Sequence, residues 1–154
     1  MYPGQQPWVK IGIAADVNAR IAQIKRSCGI SDLEQVDDRE DVSHPWYYKV
    51  EELAHSELAN FKQELRCEKC ETVHREWFAV PENVALQTVQ RWRRFIRMDP
   101  YDENGLLKDQ WSKMLVLANM MMPGKEEEPD DHELRNERWN RWLDEGFKSS
   151  RPLK

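Results

Sequence analysis

The hydrophobic period changes within the first thirty residues, and this change constrains the fold more than any other feature of the sequence. Residues 8–14 alternate between apolar and polar side chains, as a half-buried β-strand does. From Asp16, a good helix N-cap, apolar residues then recur every three or four positions until Gly29, a typical helix end. A strand followed at once by an amphipathic helix predicts a mixed α+β fold.

The rest of the chain continues this pattern of short elements. We expect an acidic loop over residues 31–43, strands at 46–50 and 76–80, and helices at 51–65, 82–98 and about 105–121. A capping box from Asp130 to Glu133 predicts one last helix. The sequence therefore predicts a small, mostly antiparallel sheet flanked by helices in residues 1–98, with a helical extension over residues 99–154 packed on it.

Composition limits the location and the partners of the protein. The chain has 154 residues, of which 33% are charged and 10% aromatic, including seven tryptophans, so we expect a folded chain. No apolar run approaches the length of a membrane span and no signal-peptide pattern is visible, so we expect an intracellular protein, nuclear or cytoplasmic, that does not bind membranes. The net charge of −5 argues against a general polyanion binder.

Basic residues are nevertheless concentrated on one predicted helix. The members of this arginine cluster are Arg91, Arg93, Arg94 and Arg97. The cluster could follow a DNA backbone, or it could neutralise the acidic loop as a solvated helix face. Composition alone leaves both interpretations open.

A short segment of the sequence has the ligand spacing of a zinc knuckle. Cys67 and Cys70 are separated by two residues, and His74 follows after three more. A closed structural zinc site needs four ligands. The residues that could supply the fourth ligand through the fold are Cys28, His44 and His55. The alternative is a reduced cysteine pair that packs beside the third strand, as three cysteines in a reducing compartment would allow.

Four separated elements carry a resemblance to a known family. They are Lys10-Ile11-Gly12, the helix arginine Arg20, the pair Glu51 and His55, and the tripeptide Glu76-Trp77-Phe78. In type and order they resemble the GIY-YIG nuclease superfamily, and more narrowly the fungal form of its phage orf172-type (meiotically up-regulated gene 113) DNA-binding branch. The resemblance covers roughly residues 8–97, and the spacing of four elements is more specific than any single motif.

The resemblance implies a site for metal-assisted phosphodiester hydrolysis in DNA. Glu76 would hold Mg²⁺ or Mn²⁺, Arg20 would bind the non-bridging phosphate oxygens, and His55 would deprotonate water. Lys10, where the superfamily more often has a tyrosine, would make a second phosphate contact. The residues alone also allow a plainer interpretation, because an arginine beside the apolar stripe of a helix needs an anionic partner, and Glu76 could be that partner in a structural salt bridge.

The sequence departs from the superfamily pattern at its start. The first tripeptide, with its tyrosine and its strand, should precede Lys10 by about ten residues, but only nine residues stand there. Either the chain is shortened or this member lacks that strand and its tyrosine. A missing strand would leave unpaired backbone that a second copy of the chain could cover, giving a homo-oligomer.

The sequence also allows two other functions. The first is a catalytically inactive interaction domain that uses the sheet edge or the tryptophan-rich tail. The second is a zinc-stabilised reader of nucleic acid that does not hydrolyse it. His55 could serve as the fourth zinc ligand only if it were not the general base that deprotonates water.

Overall fold

The protein is described here by a computed structural model, which covers residues 8–36, 44–121 and 132–149. The chain divides into two compact units, residues 1–89 and residues 90–154. The predicted start of the last helix at Asp130, the second half of the acidic loop and the segment before Trp8 lie outside the described residues. No helix of the described ranges is long and apolar enough to cross a membrane.

The first unit contains a three-stranded antiparallel sheet with helices around it. Its elements are β1 (Val9–Lys10), α1 (Val17–Cys28), α2 (Tyr48–Glu57), a 3₁₀ turn (Ala59–Phe61), β2 (Lys62–Arg66), β3 (Val73–Phe78) and the start of α3 (Glu82–Arg97). Strand β3 lies in the centre, and Trp77 pairs with Lys10 on one side and with Gln63 on the other. The predicted α+β fold with a small antiparallel sheet is confirmed.

Helix α1 follows the prediction closely because its end signals are local. The side chain of Asp16 accepts a hydrogen bond from the backbone N–H of Ala19 at 2.9 Å, which satisfies a donor of the first turn. At the other end Gly29 has a φ of 68°, in the left-handed region, and its N–H donates to the carbonyl of Lys25. Strand β1, in contrast, is shorter than predicted and ends at Lys10.

The prediction for residues 46–65 is wrong in two places. Residues 46–50 are not a strand, since a turn covers 45–47 and α2 begins at Tyr48. The predicted helix over 51–65 ends at Glu57, and Lys62–Arg66 forms β2 instead. Lysine, glutamine, glutamate, leucine and arginine are all good helix formers, so pairing with β3 overrides the local preference of this segment.

The second unit is built around aromatic side chains of three helices. They are the end of α3, α4 (Asp109–Met121) and α5 (His132–Ser149). The ring centroid of Phe95 lies 5.0 Å from that of Trp111 and 5.4 Å from that of Trp142, and all three side chains are buried. Trp139 packs on Trp92 at 5.2 Å, so the tryptophans of the tail form the core of this unit.

Helix α4 begins later than the predicted residue 105. Asp102 explains the difference, because its carboxylate accepts hydrogen bonds from the backbone N–H groups of Asn104 and Leu106, both at 2.9 Å. A bridge between Tyr101 and Leu107 closes this turn ahead of the helix. An aspartate that bonds to nearby backbone favours a turn over a helix.

The arginine cluster matches neither of its two predicted roles in full. Arg91 and Arg93 are buried rather than solvated. Arg91 donates to the side-chain oxygen of Asn136, and Arg94 forms an ion pair with Asp144 at 2.6 Å. The buried members of the cluster therefore contribute to packing within the second unit.

Candidate nucleic-acid site and candidate metal centre

Glu76 lies in the central strand and is the anionic centre of the predicted site. Its backbone carbonyl accepts a hydrogen bond from the N–H of Ile11 at 3.1 Å, which aligns the end of β1 with β3. The ammonium group of Lys10 donates to the carboxylate of Glu76 in an ion pair. The Lys10 side chain is 13% exposed and that of Glu76 40% exposed, so the carboxylate remains open to solvent beside its partner.

The side chain of His55, a residue of α2, makes a hydrogen bond that determines its tautomer. Nε2 lies 2.8 Å from the backbone carbonyl oxygen of Ile11, and a carbonyl can only accept, so Nε2 carries the proton. Whenever the ring is neutral, its lone pair is therefore on Nδ1. The ring also packs on Phe78, with centroids 5.0 Å apart, and Glu51 lies 3.9 Å from Nε2. These contacts fix the ring of His55 between α2, β3 and the end of β1.

Arg20 projects from α1 into solvent. Its guanidinium donates to the side-chain oxygen of Gln23 at 2.9 Å. The prediction that Arg20 lies on or beside a buried stripe is wrong, because Ile24 is the one buried residue of α1 and even Val17 is 39% exposed. The ion pair that forms on Glu76 is with Lys10, and the arginine remains in an exposed position.

Three basic groups from three elements act on the charge of Glu76. Burial by itself raises the pKa of this carboxyl. The hydrogen bond and charge of Lys10, and then the charges of His55 and Arg20, outweigh burial and lower the pKa of Glu76 below its ordinary value of 4.5. Glu76 is therefore ionised at neutral pH. We call Lys10, Arg20, His55 and Glu76 the Glu76 cluster.

A second group of side chains has the geometry of a metal site. We call Cys28, Cys67, Cys70 and His74 the cysteine–histidine cluster; their ligand atoms all lie within 4.8 Å of one another. The two sulfurs of Cys28 and Cys70 are 3.8 Å apart, and Nε2 of His74 lies 3.4 Å and 3.2 Å from them. Tetrahedral zinc with ordinary bond lengths requires about 3.8 Å between sulfurs and about 3.6 Å between sulfur and nitrogen. The cluster can therefore accept a zinc ion with little rearrangement.

The local backbone explains how the hairpin presents its ligands. Cys67 donates its N–H to the carbonyl of Thr72 at 3.0 Å and accepts from the N–H of Glu71 at 2.9 Å, which closes a tight turn between β2 and β3. Glu71 has a φ of 58°, a conformation that such a turn requires. His74 follows in β3 opposite Leu65. The spacing between Cys67 and His74 is thus the spacing of one hairpin turn.

The fourth position of the cluster comes from α1. Of the three candidates named from the sequence, Cys28 joins the hairpin ligands, whereas His44 and His55 lie outside the group. All three cysteines are free thiols, and the 3.8 Å between the sulfurs of Cys28 and Cys70 is too long for a disulfide bond. His55 therefore remains available to the Glu76 cluster.

The thiols of the cysteine–histidine cluster differ in their acidity. Burial, followed by the side-chain hydrogen bonds of Cys28 with Cys70 and Cys67, raises the pKa of Cys28 to about 11; in the bond with Cys70 the thiol of Cys28 is the donor. Hydrogen bonds from the hydroxyl and backbone of Thr72 lower the pKa of Cys70 to about 6, against the effect of burial. Sequence reasoning missed Thr72, although a threonine two residues after a ligand cysteine is a usable signal. The thiolate is the form that binds metal.

Comparison with known proteins gives one match. A family model described as T5orf172 domain matches residues 1–93, which is well over half of the chain. This range contains β1 through most of α3 and therefore every residue of both clusters. Searches of curated proteins and of solved structures each found no match.

Proposed function

The chain belongs to the T5orf172 domain family, and from this membership we propose that its first unit binds DNA through the face that carries the Glu76 cluster. The family is one of DNA-binding and nuclease-like domains. We also propose that the chain is related to the GIY-YIG nuclease superfamily, and that it represents the fungal form of the orf172-type branch of that superfamily.

One observation carries this proposal. Basic side chains from β1, α1 and α2 all act on a single carboxylate, although the chain as a whole has a net charge of −5. A phosphodiester brought to this face would meet the exposed guanidinium of Arg20, whose planar fork suits two phosphate oxygens. Lys10 could turn from Glu76 to a phosphate oxygen, since a lysine ammonium is a mobile point charge.

Binding is tested with a short fluorescently labelled DNA duplex and the full chain. Anisotropy titrations at increasing salt should give an association constant that falls steeply, because phosphate contacts release counterions. An absence of affinity even at low salt would overturn the proposal.

Hydrolysis of the phosphodiester is a second candidate function, favoured by the state of Glu76 and His55. Glu76 is ionised and half-exposed, so it could hold Mg²⁺ or Mn²⁺ once Lys10 has moved away. Such an ion would polarise the phosphate and stabilise the leaving oxygen. Nδ1 of His55 would accept the proton of the attacking water, and Arg20 would bind the charge that develops on the phosphate.

Hydrolysis is tested by the nicking of supercoiled plasmid with Mg²⁺ or Mn²⁺. Glu76→Gln and Arg20→Ala should each abolish nicking while the variants keep their fold. The matched controls are Glu64→Gln and Arg26→Ala, which remove the same charges from exposed positions on β2 and α1 outside the Glu76 cluster. Nicking at the wild-type rate in Glu76→Gln and Arg20→Ala would exclude these residues from the mechanism.

We also propose that the cysteine–histidine cluster binds Zn²⁺, since three sulfurs and one imidazole nitrogen within 4.8 Å of one another are the donor set of a typical structural zinc site. Elemental analysis should find about one zinc per chain. A reduced chain that binds no zinc when Zn²⁺ is supplied would refute this site. Burial argues against a protein interaction through the tryptophan-rich tail, because Trp111 and Trp142 are buried within the second unit. Self-association through a sheet edge stays a prediction.

A further inference from the structure

The cysteine–histidine cluster joins two elements that also carry the Glu76 cluster. Cys28 is the last residue of α1, and Arg20 precedes it by eight residues on the same helix. His74 and Glu76 are alternate residues of β3. Helix α1 and strand β3 therefore each carry one residue of the cysteine–histidine cluster and one residue of the Glu76 cluster. A bond that joins the two elements at the first cluster would restrict their relative movement at the second.

Among the described residues, few contacts hold α1 in the absence of a metal. Ile24 is the one buried residue among the twelve of this helix. Val17 at the start of the helix is 39% exposed, and Arg20 reaches out to Gln23 on the same helix. A helix of this length with so little burial has a low local stability, because packing of an apolar face stabilises most protein helices.

A metal at the cysteine–histidine cluster would change this balance. It would link the C-terminal end of α1 to the turn and strand of the β2–β3 hairpin through one ligand from the helix and three from the hairpin. Lys69 also packs over Gly29, where its side chain fills the space that a Cβ atom would need. The ammonium of Lys69 would lie near a site that three thiolates and Zn²⁺ leave with net negative charge.

We propose that Zn²⁺ at Cys28, Cys67, Cys70 and His74 fixes helix α1 on the β2–β3 hairpin and thereby holds Arg20 in the position from which it binds DNA. This inference rests on the proposed DNA-binding function for its second half only. Zinc is then a regulator of DNA affinity. The zinc-bound chain is the binding form, and the metal-free chain keeps its sheet but loses the fixed position of α1.

The experiment compares the full chain with and without one equivalent of Zn²⁺, under reducing conditions and after removal of metal with a chelator. Hydrogen exchange measures the protection of the amides of residues 17–28, and anisotropy with a labelled duplex measures DNA affinity. Zinc should slow exchange in α1 and raise DNA affinity by about tenfold, which corresponds to one charge-assisted contact. Unchanged exchange in α1 after zinc binds would overturn the inference.

Two variants of the helix ligand provide the matched comparison. Cys28→Ala removes the link from α1 while all three hairpin ligands remain, so α1 protection and DNA affinity should both fall and no longer respond to zinc. Cys28→His restores a zinc ligand and should recover both in the presence of zinc. Wild-type DNA affinity and α1 protection in Cys28→Ala would contradict the inference, because the helix would then not need its metal link.

Arg20→Ala separates this inference from the proposed function. This variant should lose DNA affinity but retain zinc and α1 protection, since the Arg20 side chain bonds to Gln23 and is not one of the four residues of the cysteine–histidine cluster. If the wild-type chain with zinc binds no DNA, the proposed function fails and so does the regulatory half of the inference. The link between zinc and α1 is then decided by hydrogen exchange alone.

Discussion

The ion pair between Lys10 and Glu76 can be tested by a double-mutant cycle with Lys10→Met and Glu76→Gln. The two side chains are 13% and 40% exposed, so the pair is neither fully buried nor fully solvated. Exposed pairs contribute at most about 1 kcal/mol, and breaking a buried pair costs about 3–5 kcal/mol. After allowance for solvent screening at Glu76, we expect a coupling free energy of about 1 kcal/mol.

The pH dependence of this coupling follows from the pKa of Glu76. The folded-state pKa is lowered below the ordinary value of 4.5, so the stabilisation is fully present above that value and is lost as the pH falls through the folded pKa. Native-state hydrogen exchange of the slowest β3 amides measures the free energy of unfolding of this unit. A coupling indistinguishable from zero at neutral pH, or one that grows on acidification, would refute the reasoning.

Three further predictions concern stability. In Gly146→Ala the new Cβ would collide with the buried ring of Trp111, so we expect a loss of about 1–2 kcal/mol in urea unfolding even though alanine favours the helix. A gain in stability would contradict this packing. Gly29→Ala and Gly29→Asn must both displace Lys69 from the space of the new Cβ, but asparagine tolerates a φ of 68° better than alanine. Gly29→Ala should therefore cost about 1 kcal/mol and Gly29→Asn less; equal losses would argue against a left-handed residue here. A zinc chelator should lower the melting temperature of the reduced protein, and an unchanged transition would argue against a structural metal.

The elements that the sequence predicts well are those with local signals. Helix α1 has a capping aspartate at one end and a left-handed glycine at the other, and both act within a few residues. Strand β2 has no such signal, since Lys62–Arg66 consists of helix formers and becomes a strand by pairing with β3. A pairing partner is a property of the tertiary fold and cannot be read from the segment alone.

The same distinction applies to the two clusters. Cys67, Cys70 and His74 lie in one turn and at the start of the strand after it, so their spacing in the sequence is enough to indicate a candidate metal site. The sequence gives Cys28 only as one of three candidates for the fourth ligand, together with two histidines. The packing of α1 on the hairpin determines which of the three lies beside Cys67, Cys70 and His74. The family resemblance predicts a phosphate contact for Lys10, whereas the ion pair of Lys10 with Glu76 depends on the conformation of a long side chain, which the sequence does not specify.

The central claim is that the first unit binds DNA with Arg20 on a phosphate, and the salt dependence of binding tests it most directly. The logarithm of the association constant is measured against the logarithm of salt concentration for wild type, Arg20→Ala and the control Arg26→Ala. We predict that Arg20→Ala binds about tenfold more weakly with a slope smaller by about one, and that Arg26→Ala changes neither quantity as much. Equal affinity and slope for wild type and Arg20→Ala would contradict the account.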